Sequence, residues 1–93
     1  MSVLADQEIA AELATVPEWT RVGDSIVRVV VADSFLAGID LVGEVGRVAE
    51  QVDHHPDIDI RWRTITFTLS THSAGGLTVK DFDLARAVEE LLG

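Results

Sequence analysis

The sequence predicts an α+β fold, with the elements in the order α-β-β-α-β-β-α and the helices on one face of an antiparallel sheet. Three observations predict it. Three segments repeat apolar residues at helical spacing. Between them lie two pairs of strand-like runs, each pair joined by a short turn. The 93 residues contain no linker, internal repeat or low-complexity tract, so a single domain spanning residues 1–93 is expected.

The first helix is expected from Asp6, a side chain able to cap it, to about Thr15. Ile9 and Leu13 share its inner face, and Pro17 stops it. Trp19 to Val22 and Ser25 to Val31 read as a hairpin turning at Gly23-Asp24. Asp33 or Ser34 caps a second helix over about residues 34–51, with Phe35, Ile39, Val42, Val45, Ala49 and Val52 as its apolar stripe. Asp40, Glu44, Arg47 and Gln51 fall on the other side. Gly38, Gly43 and Gly46 each weaken such a helix by up to about 1 kcal/mol relative to Ala, which points to close packing against a sheet or a second subunit. Asp57 to about Trp62 reads as a strand, with a turn in Arg61 to Thr64. From Thr64 to Thr71 the alternation is strict: Ile65, Phe67 and Leu69 face one way, Thr66, Thr68 and Ser70 the other. Continued unbulged, it puts His72 on the Thr/Ser face. Ser73-Ala74-Gly75-Gly76 reads as a flexible loop. Thr78 caps the last helix, which runs to about Leu92 on the stripe Leu84, Val88 and Leu91.

Composition narrows the function. The formal charge of −9 argues against nucleic acid, whose phosphates require a basic patch. The chain lacks cysteine, so neither a disulfide framework nor thiolate chemistry is available. No stretch reads as a signal peptide or membrane span, and a cytoplasmic location is expected. A domain this small buries only roughly 60–65% of its unfolded surface, which oligomerisation would relieve.

All three histidines, His54, His55 and His72, lie between residues 54 and 72. Imidazole, with an ordinary pKa of about 6.5, both gives and takes protons near neutrality. Pro56 forces His55 out of the helical region, so the junction after the second helix can turn an imidazole into a cleft. His72 falls at a strand end, where sites are often built. Asp81 completes the capping pattern Thr78-Val79-Lys80-Asp81 and also falls on the inward face of its helix, where it can cap, orient a histidine, or both. A second reading of the same residues is a zinc site, with Asp53, Asp57 or Asp81 joining the histidines. The absence of H-x-x-x-H and H-x-H spacing weighs against it. Trp19 and Trp62 read as core or interface residues, and Arg61 and Arg63 as solvated strand residues.

The run Ala49-Glu50-Gln51-Val52-Asp53-His54-His55-Pro56, then Thr71-His72, then Gly76-Leu77-Thr78 and Asp81, resembles the pterin-4a-carbinolamine dehydratase family. Val16-Pro17-Glu18-Trp19 resembles that family's entry to its first strand. The resemblance covers most of the chain. It implies a four-stranded antiparallel sheet with three helices packed on one side, and a homodimer or homotetramer. The implied reaction removes water from 4a-hydroxytetrahydrobiopterin by histidine acid–base catalysis, without metal or redox cofactor. The implied setting is tetrahydropterin recycling for an aromatic amino acid hydroxylase. By the same resemblance His54, His55 and His72 line the site, with His54 and His72 as the acid–base pair. Asp81 orients a histidine or contacts the pterin beside Pro56, and Thr71 and Ser73 offer further hydrogen bonds. Ile58 departs from the pattern, since many members carry an aromatic residue there. It either contacts the ring or merely packs, and Trp62 is available to compensate. A non-catalytic interaction or dimerisation module is the competing expectation.

Overall fold

Alternation in the fourth strand sets the two faces of the sheet. Ile65, Phe67 and Leu69 are each fully buried, whereas Thr64, Thr66 and Thr68 point to the opposite face, which no helix covers. The computed structural model describes residues 2–93. Along the chain come α1 (Asp6–Leu13), β1 (Thr20–Val22), β2 (Ser25–Val31), α2 (Phe35–Val52), β3 (Asp57–Arg61), β4 (Thr64–Leu69), a short 3₁₀ turn (His72–Ala74) and α3 (Val79–Leu92). The four strands form one antiparallel sheet in the order β1-β2-β4-β3. Thus α2 carries the chain from β2 to the far edge, and β4 returns between them. The expected fold is the observed one.

The inner face of the sheet meets all three helices. Ile26 lies opposite Leu69 and Val30 opposite Ile65. Ile9 from α1, Val45 from α2, and Phe82, Leu84, Ala85 and Val88 from α3 complete the core. Each fully buried side chain of this size adds roughly 1.5–3 kcal/mol of apolar transfer. Trp19 is buried, and its indole N–H donates to Glu89 Oε2 at 3.1 Å. Arg28 Nε donates to the same oxygen at 3.0 Å, so one carboxylate ties α3 to the sheet and to the segment before β1.

Several expectations need correction. The residue preceding α1 is Ala5, whose N–H donates to Glu8 Oε1. Asp6 therefore stands inside the first turn, where its charge still suits the helix start. Ser34 caps α2 by accepting from the Ala37 N–H at 3.0 Å. The apolar stripe read for α2 holds at its centre, where Val45 and Ala49 are buried and Val42 packs against the core, and fails at its ends, where Phe35, Ile39 and Val52 are exposed and Gly38 is buried instead. Gly38 is a core residue, since a Cβ there would lie 3.1 Å from Ile65 Cδ1. Gly43 and Gly46 face no other element of the chain. Trp62 is not core: it is 73% exposed at the β3–β4 turn. Arg63 is not an exposed strand residue. It sits in that turn, stacks on Trp62 with its guanidinium carbon 4.9 Å from the ring centroid, and buries its Nε. Among the described residues no helix is long and apolar enough to cross a membrane.

Candidate active site

The site begins at the end of α2. Asp53, the residue after the helix, takes the left-handed conformation (φ 52, ψ 46). The His54 N–H then donates back to the Ala49 carbonyl at 3.1 Å, and the Asp53 N–H to that of Glu50 at 3.3 Å. These two bonds form a Schellman turn with aspartate where glycine is usual. The reversal folds His54 beneath the helix end, so that it is only 9% exposed. His55 turns outward, half exposed, and bonds Glu50 Oε1 through Nε2. Pro56 then leads into β3. Because aspartate is mildly disfavoured at positive φ, Asp53→Gly should stabilise the domain by about 0.5–1 kcal/mol. That predicts a melting temperature several degrees higher, and a thermal melt no higher than wild type would rule it out.

The second half of the site comes from the start of α3. The Thr78 N–H donates to Asp81 Oδ2 at 2.9 Å, and Thr78 Oγ1 accepts from the Lys80 N–H at 3.3 Å. This is the capping box expected from the sequence. Asp81 also does what the inward face allowed. Fully buried, it places Oδ1 2.6 Å from His54 Nε2, and its Oδ2 accepts from Thr71 Oγ1 at 2.8 Å. Thr71 continues the inward set of β4 beyond Leu69, through an isolated bridge to Gly76. That bridge and the 3₁₀ turn close the segment read as a flexible loop. Gly75, at φ 78, supplies the positive φ this turn needs.

These contacts assign the protons. Thr71 spends its single hydroxyl proton on Asp81, so Thr78 must donate in the 2.8 Å Thr71–Thr78 hydroxyl pair. A chain of donors thus runs from the Lys80 N–H through Thr78 and Thr71 to Asp81. An ionised Asp81, already accepting from the Thr71 hydroxyl and the Thr78 N–H, can only accept. The neutral His54 tautomer that matches it carries its proton on Nε2 and leaves Nδ1 as the accepting nitrogen.

One cleft of about 350 Å³ gathers Asp53, His54, His55, Ser70, Thr71, His72, Ser73 and Lys80. Its volume lies within the range of small-molecule sites. A smaller apolar recess of about 130 Å³, walled by Val48, Val52, Leu84 and Ala87, adjoins it and shares His54 and Lys80 with it. All three histidines, Thr71 and Ser73 thus come together. Asp81 lies behind His54 and does not line the cleft, nor does Pro56. Ile58 faces the core opposite Phe67, so the departure from an aromatic residue is a packing change. Trp62, at the other end of β3, is absent from the cleft. Among the described residues no group of three His, Cys, Asp or Glu side chains is placed to hold a metal ion. The sequence reading missed Glu50, the partner of His55, and Lys80. For Lys80 the available signal was that it is the chain's sole lysine.

Residues 2–91 match the family model described as pterin 4 alpha carbinolamine dehydratase. The chain is 62% identical over 89 residues to a Nocardia farcinica protein, spanning 96% of this chain and 94% of that one. It is 57% identical over 93 residues to a Mycobacteroides abscessus protein, spanning 100% and 99% respectively. Both relatives carry a provisional name, pterin-4-alpha-carbinolamine dehydratase. The fold is similar to the crystal structure of a transcriptional coactivator/pterin dehydratase from Brucella melitensis, with a TM-score of 0.95 and 26% identity over 99% of this chain and 100% of that one.

Proposed function

Because this chain belongs to the pterin 4 alpha carbinolamine dehydratase family, we propose that it removes water from a 4a-hydroxytetrahydropterin and leaves a quinonoid dihydropterin. The observation carrying this reading is the cleft that gathers all three histidines, one of them clamped by a buried carboxylate. In the reaction the C4a–O bond breaks, and the hydroxyl departs as water after taking a proton. N5 loses its proton, and the electrons of that bond form C4a=N5. Substrate and product differ only by water, so the step calls for proton transfer rather than a redox cofactor.

The residues divide the work as follows. His54, with its proton held on Nε2 by Asp81, accepts the N5 proton at Nδ1. His72, exposed on the 3₁₀ turn, donates to the leaving hydroxyl. His55, half exposed and bonded to Glu50, holds the substrate or passes protons to solvent, and Ser73 offers a hydroxyl beside His72. Thr71 acts through Asp81, on which its own proton is spent. The setting we propose is tetrahydropterin recycling, with an aromatic amino acid hydroxylase supplying the substrate.

The test is dehydration of freshly generated 4a-hydroxytetrahydropterin, followed by ultraviolet absorbance. Folded protein should accelerate it well above the uncatalysed rate. No acceleration would turn the reading to a non-catalytic interaction module. Assembly into homo-oligomers is part of the same proposal. Phe35, Leu36 and Ile39 stand exposed along α2, and Gly43 and Gly46 leave its backbone open. A monomer mass by light scattering at micromolar concentration would contradict it.

A further inference from the structure

We propose that Lys80 is the cationic anchor of the cleft and binds the 4-oxo oxygen of the pterin ring, an inference that rests on the dehydratase reading above. Lys80 is the only lysine in a chain of formal charge −9, and it lines both the histidine cleft and the adjoining apolar recess. The other basic side chains are largely committed elsewhere. Arg21 pairs with Asp6, Arg28 with Glu89, Arg61 with Asp59, and Arg86 with Glu12 and Asp83. Arg63 stacks on Trp62. Among the described residues only Arg47 and Lys80 lack such a partner, and Arg47 lines neither the cleft nor the recess.

The helix start does nothing to hold the exposed ammonium of Lys80 in place. Lys80 is the second residue of α3, where the unpaired N–H groups of a helix start repel positive charge. None of its acidic neighbours pairs with it, Asp53 on the opposite part of the cleft wall included. Asp81 is buried and satisfied by His54, Thr71 and Thr78, and Asp83 is bonded to Arg86 at 2.8 Å. An ammonium without an acidic partner, on a long flexible stem at the wall of a cleft, is suited to an oxygen acceptor on the ligand. The strongest such acceptor on a neutral pterin ring is the C4 carbonyl oxygen, whose carbon adjoins C4a. Holding that oxygen sets C4a and N5 relative to the histidines, and supplies a charge that takes no part in the proton transfers.

The test compares wild type, Lys80→Met and Lys80→Arg. Met keeps an unbranched apolar stem and removes the charge; Arg restores the charge. Binding of 7,8-dihydropterin and of 2,4-diamino-7,8-dihydropteridine, which differs from it in having an amino group in place of the 4-oxo oxygen, is measured by calorimetry. Steady-state dehydration kinetics are run alongside. Lys80→Met should weaken dihydropterin binding and raise KM by about tenfold or more, the scale of one hydrogen bond from a charged donor. Lys80→Arg should stay within about threefold of wild type. Affinity for the diamino analogue should not fall in Lys80→Met. Unchanged dihydropterin binding in Lys80→Met overturns the anchor, as does an equal loss for both ligands. Wild type that binds dihydropterin but does not accelerate dehydration overturns the dehydratase reading and leaves the anchor standing. Wild type that neither binds nor turns over removes both.

Discussion

His54→Gln should lower the dehydration rate by about 10²–10⁴-fold, the usual effect of losing a single acid or base, with KM changed far less. Glutamine is chosen over alanine for a physical reason. The amide can still donate a hydrogen bond toward Asp81, which sits 2.6 Å from His54 Nε2 in the native protein. It cannot take a proton at neutral pH. The substitution therefore separates the proton acceptor from the structural contact. His54 is only 9% exposed, so alanine would also open a cavity at the end of α2 and confuse folding with chemistry. The measurement is kcat by absorbance well below the melting temperature, with circular dichroism confirming the fold. A folded His54→Gln protein within tenfold of wild type would remove His54 as the base and pass that role to His55 or His72.

The second large effect is on stability. Asp81→Ala should destabilise the domain by about 3 kcal/mol. Three buried donors lose their acceptor at once: His54 Nε2, the Thr71 hydroxyl and the Thr78 N–H. The last of these is also the start of α3, and loss of a cap alone costs about 1 kcal/mol. For a domain of this size each kcal/mol moves the melting temperature by roughly 4–8 °C, so a fall of more than about 12 °C is expected. Asp81→Asn keeps a carbonyl oxygen but turns an amide N–H toward at least one existing donor, and should fall between the two. An Asp81→Ala protein melting within a few degrees of wild type would mean that the buried carboxylate is not what holds these three segments together.

Much of this was legible in the sequence, for identifiable reasons. The period-two pattern of β4 fixed its buried face and, extended two residues, the inward position of Thr71. The Thr78–Asp81 spacing revealed a cap, and the inward helix face of Asp81 revealed its second task. The stripe of α2 was read correctly at its centre but placed too far round at its start, because a mixed run of three- and four-residue steps wanders around a helix. Ile39 lies about 120° from Val45, whereas Gly38 lies about 20° from it. A hydrophobicity pattern does not count a glycine as core, but the cost of glycine in a helix pointed to close packing against the sheet, which Gly38 makes against Ile65. The reversal at Asp53 was equally hidden, because aspartate stands where a glycine would have announced it. The exposure of Trp62 was invisible for a related reason: its backbone adopts φ 51, a conformation rarely assigned to a large aromatic residue. The contact of Lys80 with the cleft depends on two segments meeting, which no local pattern encodes.

The carboxylate of Asp81 joins the end of α2, the continuation of β4 and the first turn of α3, with the β3–β4 hairpin lying between His54 and Asp81 along the chain. None of these can leave without orphaning a buried hydrogen-bonding group, donor or acceptor, in another. The pocket in such a molecule has no cheap partial opening of its own. The amide protons of His54 and Thr78 should therefore exchange with deuterium only as fast as the domain unfolds globally. Under rising urea, activity should vanish together with the helical circular dichroism rather than ahead of it.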